Sequence, residues 1–129
     1  MEYETVLGEW AVSILQSDIC HIGSISELRR IAIMAEAHDV ALAPHFPLGP
    51  IDLAANIHVD AVSANFAIQE ISLGVRYNAG SEDITSSIRN PEVWNVNDGM
   101  IDLMSGPGRG LEMDELKIKL VSSIADGGV

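Results

Sequence analysis

Three short apolar runs, each followed by a residue that can carry a proton, constrain the fold of this chain most strongly. Asp18 follows the first run in SILQSDIC, His45 follows the second in VALAPHFPLGP, and Glu70 follows the third in NFAIQE. They lie 27 and 25 residues apart, about the length of one strand-plus-helix unit. In a parallel α/β barrel, such units bring the carboxyl ends of successive strands together where active sites form. The spacing therefore predicts a site with two acids and a base.

The segments between these runs have the pattern of helices. Ser24, with Glu27 three residues later, has the spacing of a capping box and predicts a helix start. The apolar residues that follow recur at helical spacing and predict one buried face: Leu28, Ile31, Ala32 and Ala35. Residues 11–15 and 40–43 are short and apolar, so we expect both to be buried strands.

The third unit follows the same plan. Gly49 and Pro50 predict the start of a second helix, because proline is favoured at the first helical position. This helix is too apolar for a surface helix, so it is expected to be short and packed. We expect residues 60–63 to form a minor extended piece and residues 65–69 to form the strand that leads to Glu70. The alternation predicts an α/β fold with a parallel sheet.

After Glu70 this regular alternation stops. Residues 74–99 contain turn formers and an Asn-Pro step, and they predict a long excursion. A strand, a glycine-rich turn and a closing helix are expected after it, at residues 100–104, 105–110 and 112–124. The chain is therefore expected to have two parts, with the strand-end residues in 1–75 and an extension in 76–129.

Composition narrows the classes of function. The 129 residues, 47% of them hydrophobic, are enough for one domain with a core. A net charge of −12 with seven Lys and Arg argues against nucleic-acid binding, since phosphate contacts need basic side chains. No run approaches the roughly 20 apolar residues of a membrane span, and MEYETVLGEW lacks a signal-peptide pattern. With Cys20 as its only cysteine, the chain is predicted to be cytoplasmic, without nucleic-acid or membrane partners.

The motifs on these elements resemble the carboxyl-terminal part of the enolase superfamily, in its mandelate racemase branch. Within that branch the chain is most similar to acid-sugar dehydratases of the D-galactonate dehydratase kind. The resemblance is carried by LQSDICHIGSISELRRIAIMAEAHDVALAPHFPLGPIDLAA, FAIQEISLGVRYN and SGPGRGLEMDE. It implies a (β/α)7β TIM-like barrel, of which this chain holds strands six to eight, and a C-terminal extension that packs on the barrel or its capping region.

The resemblance also implies a role for each residue of the predicted site. His45 matches the base that removes the proton α to the substrate carboxylate, and Asp18 matches the acid that orients that imidazole. Glu70 matches the acid that hydrogen-bonds the substrate carboxylate. The implied reaction is the Mg²⁺-dependent dehydration of a galactonate-like sugar acid to a 2-keto-3-deoxy acid. Because the family's magnesium ligands lie on the third to fifth strands, no metal ligand and no bound Mg²⁺ are expected in this chain alone.

Other interpretations of the same residues stay open. Without the resemblance, Asp18 and Glu70 would be ordinary loop or turn acids, and His45 a histidine after a strand. A barrel takes about 250 residues, so this chain is expected to be a truncated piece that shows no turnover alone. The alternative function is an inactive remnant that self-associates through its open strand edges. A less favoured interpretation is a small open α/β domain that binds an anionic ligand at its strand ends.

Overall fold

The structure, a computed structural model, describes residues 2–46, 48–72 and 84–119. The chain divides into two compact units, Met1–Ser72 and Leu73–Val129. No helix within the described residues is long and apolar enough to cross a membrane. Whether residues 76–129 pack on a barrel, as the resemblance implies, stays a prediction.

The first unit alternates between strands and helices, as the sequence predicts. Its elements, in chain order, are helix α1 (Glu2–Gly8), strand β1 (Ile14–Leu15), helix α2 (Ile19–Ile22), helix α3 (Ile25–Glu36), strand β2 (Ala41–Leu42) and helix α4 (Pro50–Asp60). The two strands pair in parallel, with Leu15 opposite Leu42. The predicted α/β fold with a parallel sheet is confirmed, whereas the numbering of its strands as six to eight stays a prediction.

The strands are shorter than the apolar runs that contain them. Only one residue of the expected third strand pairs with its neighbour, since Phe66 forms a single parallel bridge with Leu42. Backbone hydrogen bonds nevertheless continue past β1 and β2, and His45 donates its N–H to the carbonyl of Ser17 at 3.2 Å. The polar residues that follow the two strands are therefore held in register with each other.

Helix α3 begins where the sequence predicts. Ser24 is its N-cap, and the Ser24 hydroxyl accepts a hydrogen bond from the N–H of Glu27 at 3.1 Å, so one of the unsatisfied N–H groups of the first turn gains a partner. The buried residues of the helix are the four that the spacing predicts, Leu28, Ile31, Ala32 and Ala35. The helix ends before Asp39, whose φ of 56° no longer allows helical hydrogen bonding.

Helix α4 also begins as predicted, but it runs further than expected. Gly49 is its N-cap, with a φ of 152° that residues with a side chain rarely adopt, and Pro50 takes the first helical position. The expectation of an extended piece at 60–63 is wrong. Asp60 is helical, and the hydroxyl of Ser63 caps the helix by donating to the carbonyl of Val59 at 2.7 Å.

Two clusters of buried side chains stabilise this unit. One cluster joins β2 to three helices through Ile19, Leu28, Ala32, Leu42, Ala55 and Val59. The other joins β1 to α1 and α3 through Leu7, Leu15, Ile31, Ala35 and Val40. The buried side chains of both strands pack against helices. The same packing that stabilises the fold therefore fixes the positions of the carboxyl ends of the two strands.

The second unit has little regular structure among its described residues. Two short 3-10 helices, Ile84–Ser87 and Pro91–Trp94, lie in the predicted excursion, of which residues 74–83 are outside the described residues. The predicted strand at 100–104 is wrong. Within residues 2–46, 48–72 and 84–119, Met100 pairs only with the nearby Asn97. Met100 is also 73% exposed, so the segment lacks both a partner strand there and the burial that would stabilise a strand.

The end of the second unit agrees better with the sequence. The expected glycine-rich turn is present, and Gly108 and Gly110 both adopt positive φ angles there. The side chain of Asn90 connects to this turn by donating to the carbonyl of Gly110 and accepting from the N–H of Glu112, each at 2.9 Å. Of the predicted closing helix, residues 115–119 are helical, and residues 120–124 lie outside the described residues.

Candidate active site

The three residues that the spacing singled out lie together. The Nδ1 atom of His45 is 3.0 Å from Oδ2 of Asp18, and its Nε2 atom is 3.8 Å from Oε2 of Glu70. The imidazole therefore has one carboxylate on each side. The expected proximity follows from the parallel pairing of β1 and β2 and from the bridge at Phe66. The chemical roles of the three residues stay predictions.

Asp18 is held in place from several directions. It is the N-cap of α2, and its Oδ1 atom accepts hydrogen bonds from the N–H groups of Cys20 at 2.8 Å and His21 at 3.2 Å. Its Oδ2 atom faces the Nδ1 atoms of both His45 and His21, at 3.0 and 3.1 Å. Burial raises the pKa of Asp18, but the His45 bond and the two N–H donors outweigh it and leave that pKa below its usual value.

The contact with Asp18 decides which nitrogen of His45 can act as a base. A carboxylate only accepts hydrogen bonds, so the proton of the neutral imidazole belongs on Nδ1, facing Asp18. The lone pair then lies on Nε2, on the Glu70 side of the ring. The side chain of His45 is 42% exposed, so a substrate can reach it.

Glu70 has a contact that the sequence did not indicate. Its Oε2 atom accepts a hydrogen bond from the backbone N–H of Phe46 at 3.0 Å, which connects the acid to the residue after His45. The side chain of Phe46 is fully buried, so its bulk lies in the interior rather than in the site. Glu70 itself is 45% exposed and remains accessible to a substrate.

Two polar residues on α4, which the sequence did not single out, lie beside the site. Asp52 and Asn56 are buried in the helix that was expected to be short and packed. Ligand atoms of Asp52, Asp18 and Cys20 lie within 4.8 Å of one another. Burial and the charge of Asp18 raise the pKa of Asp52, and burial and Asp52 raise the pKa of the Cys20 thiol. The signal that could have found them is two polar residues, four apart, among the apolar residues of the helix.

The residues of this site do not fit a magnesium ion. Both oxygens of Asp18 already accept hydrogen bonds, and the third member of the compact Asp18–Cys20–Asp52 group is a thiol. Magnesium prefers oxygen ligands in octahedral geometry and disfavours thiol and imidazole ligands. The compact Asp18–Cys20–Asp52 group is therefore a poor match for Mg²⁺, and the expectation that this chain supplies no Mg²⁺ ligand stays a prediction.

The chain is similar in sequence and in structure to known proteins. The chain is 47% identical over 114 residues to a D-galactonate dehydratase of Verminephrobacter eiseniae, covering 88% of this chain and 30% of that protein. It is 38% identical to an enolase of Agrobacterium radiobacter, provisionally assigned as a galactarate dehydratase and bound to sodium and L-malate. That match has a TM-score of 0.79 and covers 92% of this chain and 32% of the other.

A third relative carries a sugar acid. The structure of an enolase from Pantoea ananatis with bound D-gluconate and magnesium matches with a TM-score of 0.73 and 27% identity, over 89% of this chain and 26% of the other. The chain thus spans about a third or less of the length of these relatives. A family model described as enolase C-terminal domain-like matches residues 1–117. The resemblance read from the motifs is confirmed, and the chain belongs to the enolase C-terminal domain-like family.

Proposed function

We propose that this chain provides the proton-abstracting part of a sugar-acid dehydratase, with His45 as its base. The observation that carries the proposal is the 3.0 Å contact between Nδ1 of His45 and Oδ2 of Asp18, with Glu70 on the opposite side of the ring. An imidazole held by a carboxylate on one nitrogen is a general base on the other. The relationship to a D-galactonate dehydratase supports a sugar acid as the substrate.

The first step is removal of the proton α to the substrate carboxylate. Nε2 of His45 takes that proton, and the electron pair of the broken C–H bond moves into the carboxylate to form an enediolate. The imidazolium that forms is stabilised by Asp18, whose lowered pKa keeps it an anion at neutral pH. Glu70 hydrogen-bonds the substrate carboxylate as negative charge develops there.

The second step expels the neighbouring hydroxyl group. The electron pair of the enediolate moves to form a C–C double bond, and the hydroxyl leaves with a proton as water. The resulting enol becomes a 2-keto-3-deoxy acid. The donor of that proton and the metal ligands of the family are expected outside this chain, so the isolated chain is predicted to give no turnover. Self-association through open strand edges also stays a prediction.

The proposal is tested in a chimeric enzyme. The 114-residue stretch of the Verminephrobacter enzyme that matches this chain is replaced by the corresponding stretch of this chain. The chimera is assayed with D-galactonate and Mg²⁺ for formation of the 2-keto-3-deoxy acid. We expect turnover, and we expect His45→Ala to reduce it by a factor of at least roughly a hundred.

The matched control is His38→Ala. His38 lies beyond the end of α3, where its ring packs edge-on against Trp10 with ring centroids 6.0 Å apart. The substitution His38→Ala therefore removes an imidazole, as His45→Ala does, but outside the site. We expect this variant to keep the activity of the chimera. A folded chimera that is inactive, or one that loses as much activity with His38→Ala as with His45→Ala, would contradict the proposal. Turnover by the isolated chain would contradict the expected division of the site.

A further inference from the structure

The backbone segment that carries His45 is held by side chains in addition to the backbone hydrogen bond from the N–H of His45 to Ser17. Residues 44–46 lie just past β2, beyond the last pair of the sheet. Four side chains bind the peptide groups of this segment. Gln69 donates to the carbonyl of Pro44 at 3.0 Å, and Asn56 donates to the carbonyl of His45 at 3.3 Å. At Phe46, Ser72 donates to the carbonyl at 3.1 Å and Glu70 accepts from the N–H at 3.0 Å. The position of the imidazole therefore depends on these side chains.

Asn56 differs from the other three in its position. Gln69, Glu70 and Ser72 follow one another at the end of the third strand run, whereas Asn56 lies in the middle of α4. It is fully buried, and its neighbours in the helix are Ala55 and Ile57. Burying an amide in such surroundings is unfavourable unless the amide is hydrogen-bonded.

The hydrogen bonds of Asn56 point toward the site. Its Nδ2 atom donates to the carbonyl of His45 at 3.3 Å and to Oδ1 of Asp52, one turn earlier, at 3.4 Å. Two acceptors on the same side fix the orientation of the amide. Its Oδ1 atom, by contrast, is buried without a hydrogen-bond partner among the described residues. Such an unsatisfied atom destabilises the fold, so stability alone does not explain an asparagine at this position.

We propose that Asn56 is a positioning residue for His45, whose carbonyl it holds so that Nδ1 of the imidazole stays on Asp18 and Nε2 faces the substrate. This inference rests on the proposed role of His45 as the base. Asn56 acts through the backbone and is not expected to touch the substrate. The chain needs an amide donor at this position even though an apolar side chain would fill the same space.

The test uses the 129-residue chain with ¹⁵N-labelled histidine. Asn56→Leu keeps a similar volume but removes the donor. We expect its midpoint of urea unfolding to stay close to that of the wild type, because removal of the unsatisfied oxygen offsets the loss of the two amide hydrogen bonds. We also expect the His45 imidazole to populate both neutral tautomers, and the Phe46 amide to exchange with solvent roughly tenfold faster through local opening.

Ser63→Ala is the matched control. It removes a buried hydrogen bond from a side chain to a carbonyl at the other end of α4, where the Ser63 hydroxyl donates to Val59. This variant is expected to lower the unfolding midpoint while His45 keeps the single Nδ1–H tautomer. Asn56→Leu is thus expected to change the His45 tautomer without loss of stability, and Ser63→Ala to lower stability without a change of tautomer. This difference separates a positioning role from general support of the fold.

A single His45 tautomer with unchanged Phe46 exchange in Asn56→Leu would overturn the inference. Asn56→Ala, which leaves space rather than filling it, is expected to give the same spectroscopic change. If neither variant folds, Asn56 is a structural residue and the inference is also overturned. These measurements do not depend on turnover, so an inactive chimera with a fixed His45 tautomer would count against the proposed function and not against the role of Asn56.

Discussion

Two buried aspartates, one at the site and one at the end of a helix, have opposite electrostatics. Asp18 is 6% exposed and Asp60 is 7% exposed, so little of either residue reaches solvent. Asp18 faces two N–H groups and two imidazoles, and its pKa is lowered. Neither oxygen of Asp60 has a hydrogen-bond partner in the part of the chain that the structure describes, and burial raises the pKa of Asp60 to about 7. Hydrogen-bond donors outweigh the effect of burial at Asp18, whereas no donor among the described residues offsets it at Asp60.

The position of each acid in its helix contributes to the difference. Asp18 is the N-cap of α2, where backbone N–H groups point at its carboxylate. Asp60 is the last residue of α4, where the carbonyl end of the helix disfavours negative charge. The strand-end site is thus prepared to hold an anion against His45, whereas the end of α4 favours a neutral acid.

The largest expected effect comes from making Asp60 permanently neutral. The folded pKa of Asp60, about 7, lies above its unfolded value of 3.8. The contribution of Asp60 to the free energy of unfolding is therefore fully present below pH 3.8, where the carboxyl is neutral. It is lost as the pH rises through 7 and the buried carboxyl ionises. Asp60→Asn is expected to raise the free energy of unfolding at pH 8 by up to about 4 kcal/mol, and by less at pH 5. Urea unfolding at both pH values measures the difference.

Glu36→Gln is the control for this prediction. Glu36 is the last residue of α3, as Asp60 is of α4, but it is exposed. Its neutralisation is expected to change stability by less than about 0.5 kcal/mol at either pH. A gain for Asp60→Asn that is the same at pH 5 and pH 8 would show that Asp60 does not titrate with folding.

A smaller effect of opposite sign is expected at Asp18. Asp18→Asn keeps the shape of the N-cap but removes the charge that faces His45, and it is expected to cost about 2 kcal/mol of stability at pH 7. The folded pKa of Asp18 is lowered, so the contribution of its charge is present above the unfolded value of 3.8 and is lost as the pH falls through the folded pKa. Equal losses at pH 7 and pH 3 would contradict this.

The smallest effect is expected at the neutral cap of α3. Ser24→Ala removes the hydrogen bond to the N–H of Glu27 and is expected to cost about 1 kcal/mol. Since a hydroxyl does not titrate, the loss should be the same at pH 7 and pH 3. Thermal or urea unfolding at both pH values checks it, and a loss that falls with pH as that of Asp18→Asn does would mean that the pH dependence does not arise from the charge of Asp18.

The sequence predicts the features that depend on local pattern. The starts of α3 and α4 follow from Ser24 and Gly49, and the proximity of the site residues follows from the regular length of each strand-plus-helix unit. In each case a short-range rule of hydrogen bonding or chain geometry determines the outcome.

Features that depend on tertiary contacts could not be predicted in the same way. Asn56 is buried because the carbonyl of His45 lies against α4, a contact that no local pattern encodes. Residues 100–104 have the apolar character of a strand but no partner strand among the residues that the structure describes, and the segment is irregular. The expectation for residues 60–63 fails because the packing of Val59 and the cap of Ser63 extend the helix.

The central claim is that the charge of Asp18 serves the chemistry of His45 whereas that of Asp60 does not. The most direct test compares kcat/KM for D-galactonate in the chimeric enzyme carrying Asp18→Asn with that carrying Asp60→Asn. We predict a decrease of at least roughly a hundredfold for Asp18→Asn and no decrease for Asp60→Asn. Equal activities in the two variants would contradict the claim, because they would mean that the carboxylate beside His45 has no part in removing the proton.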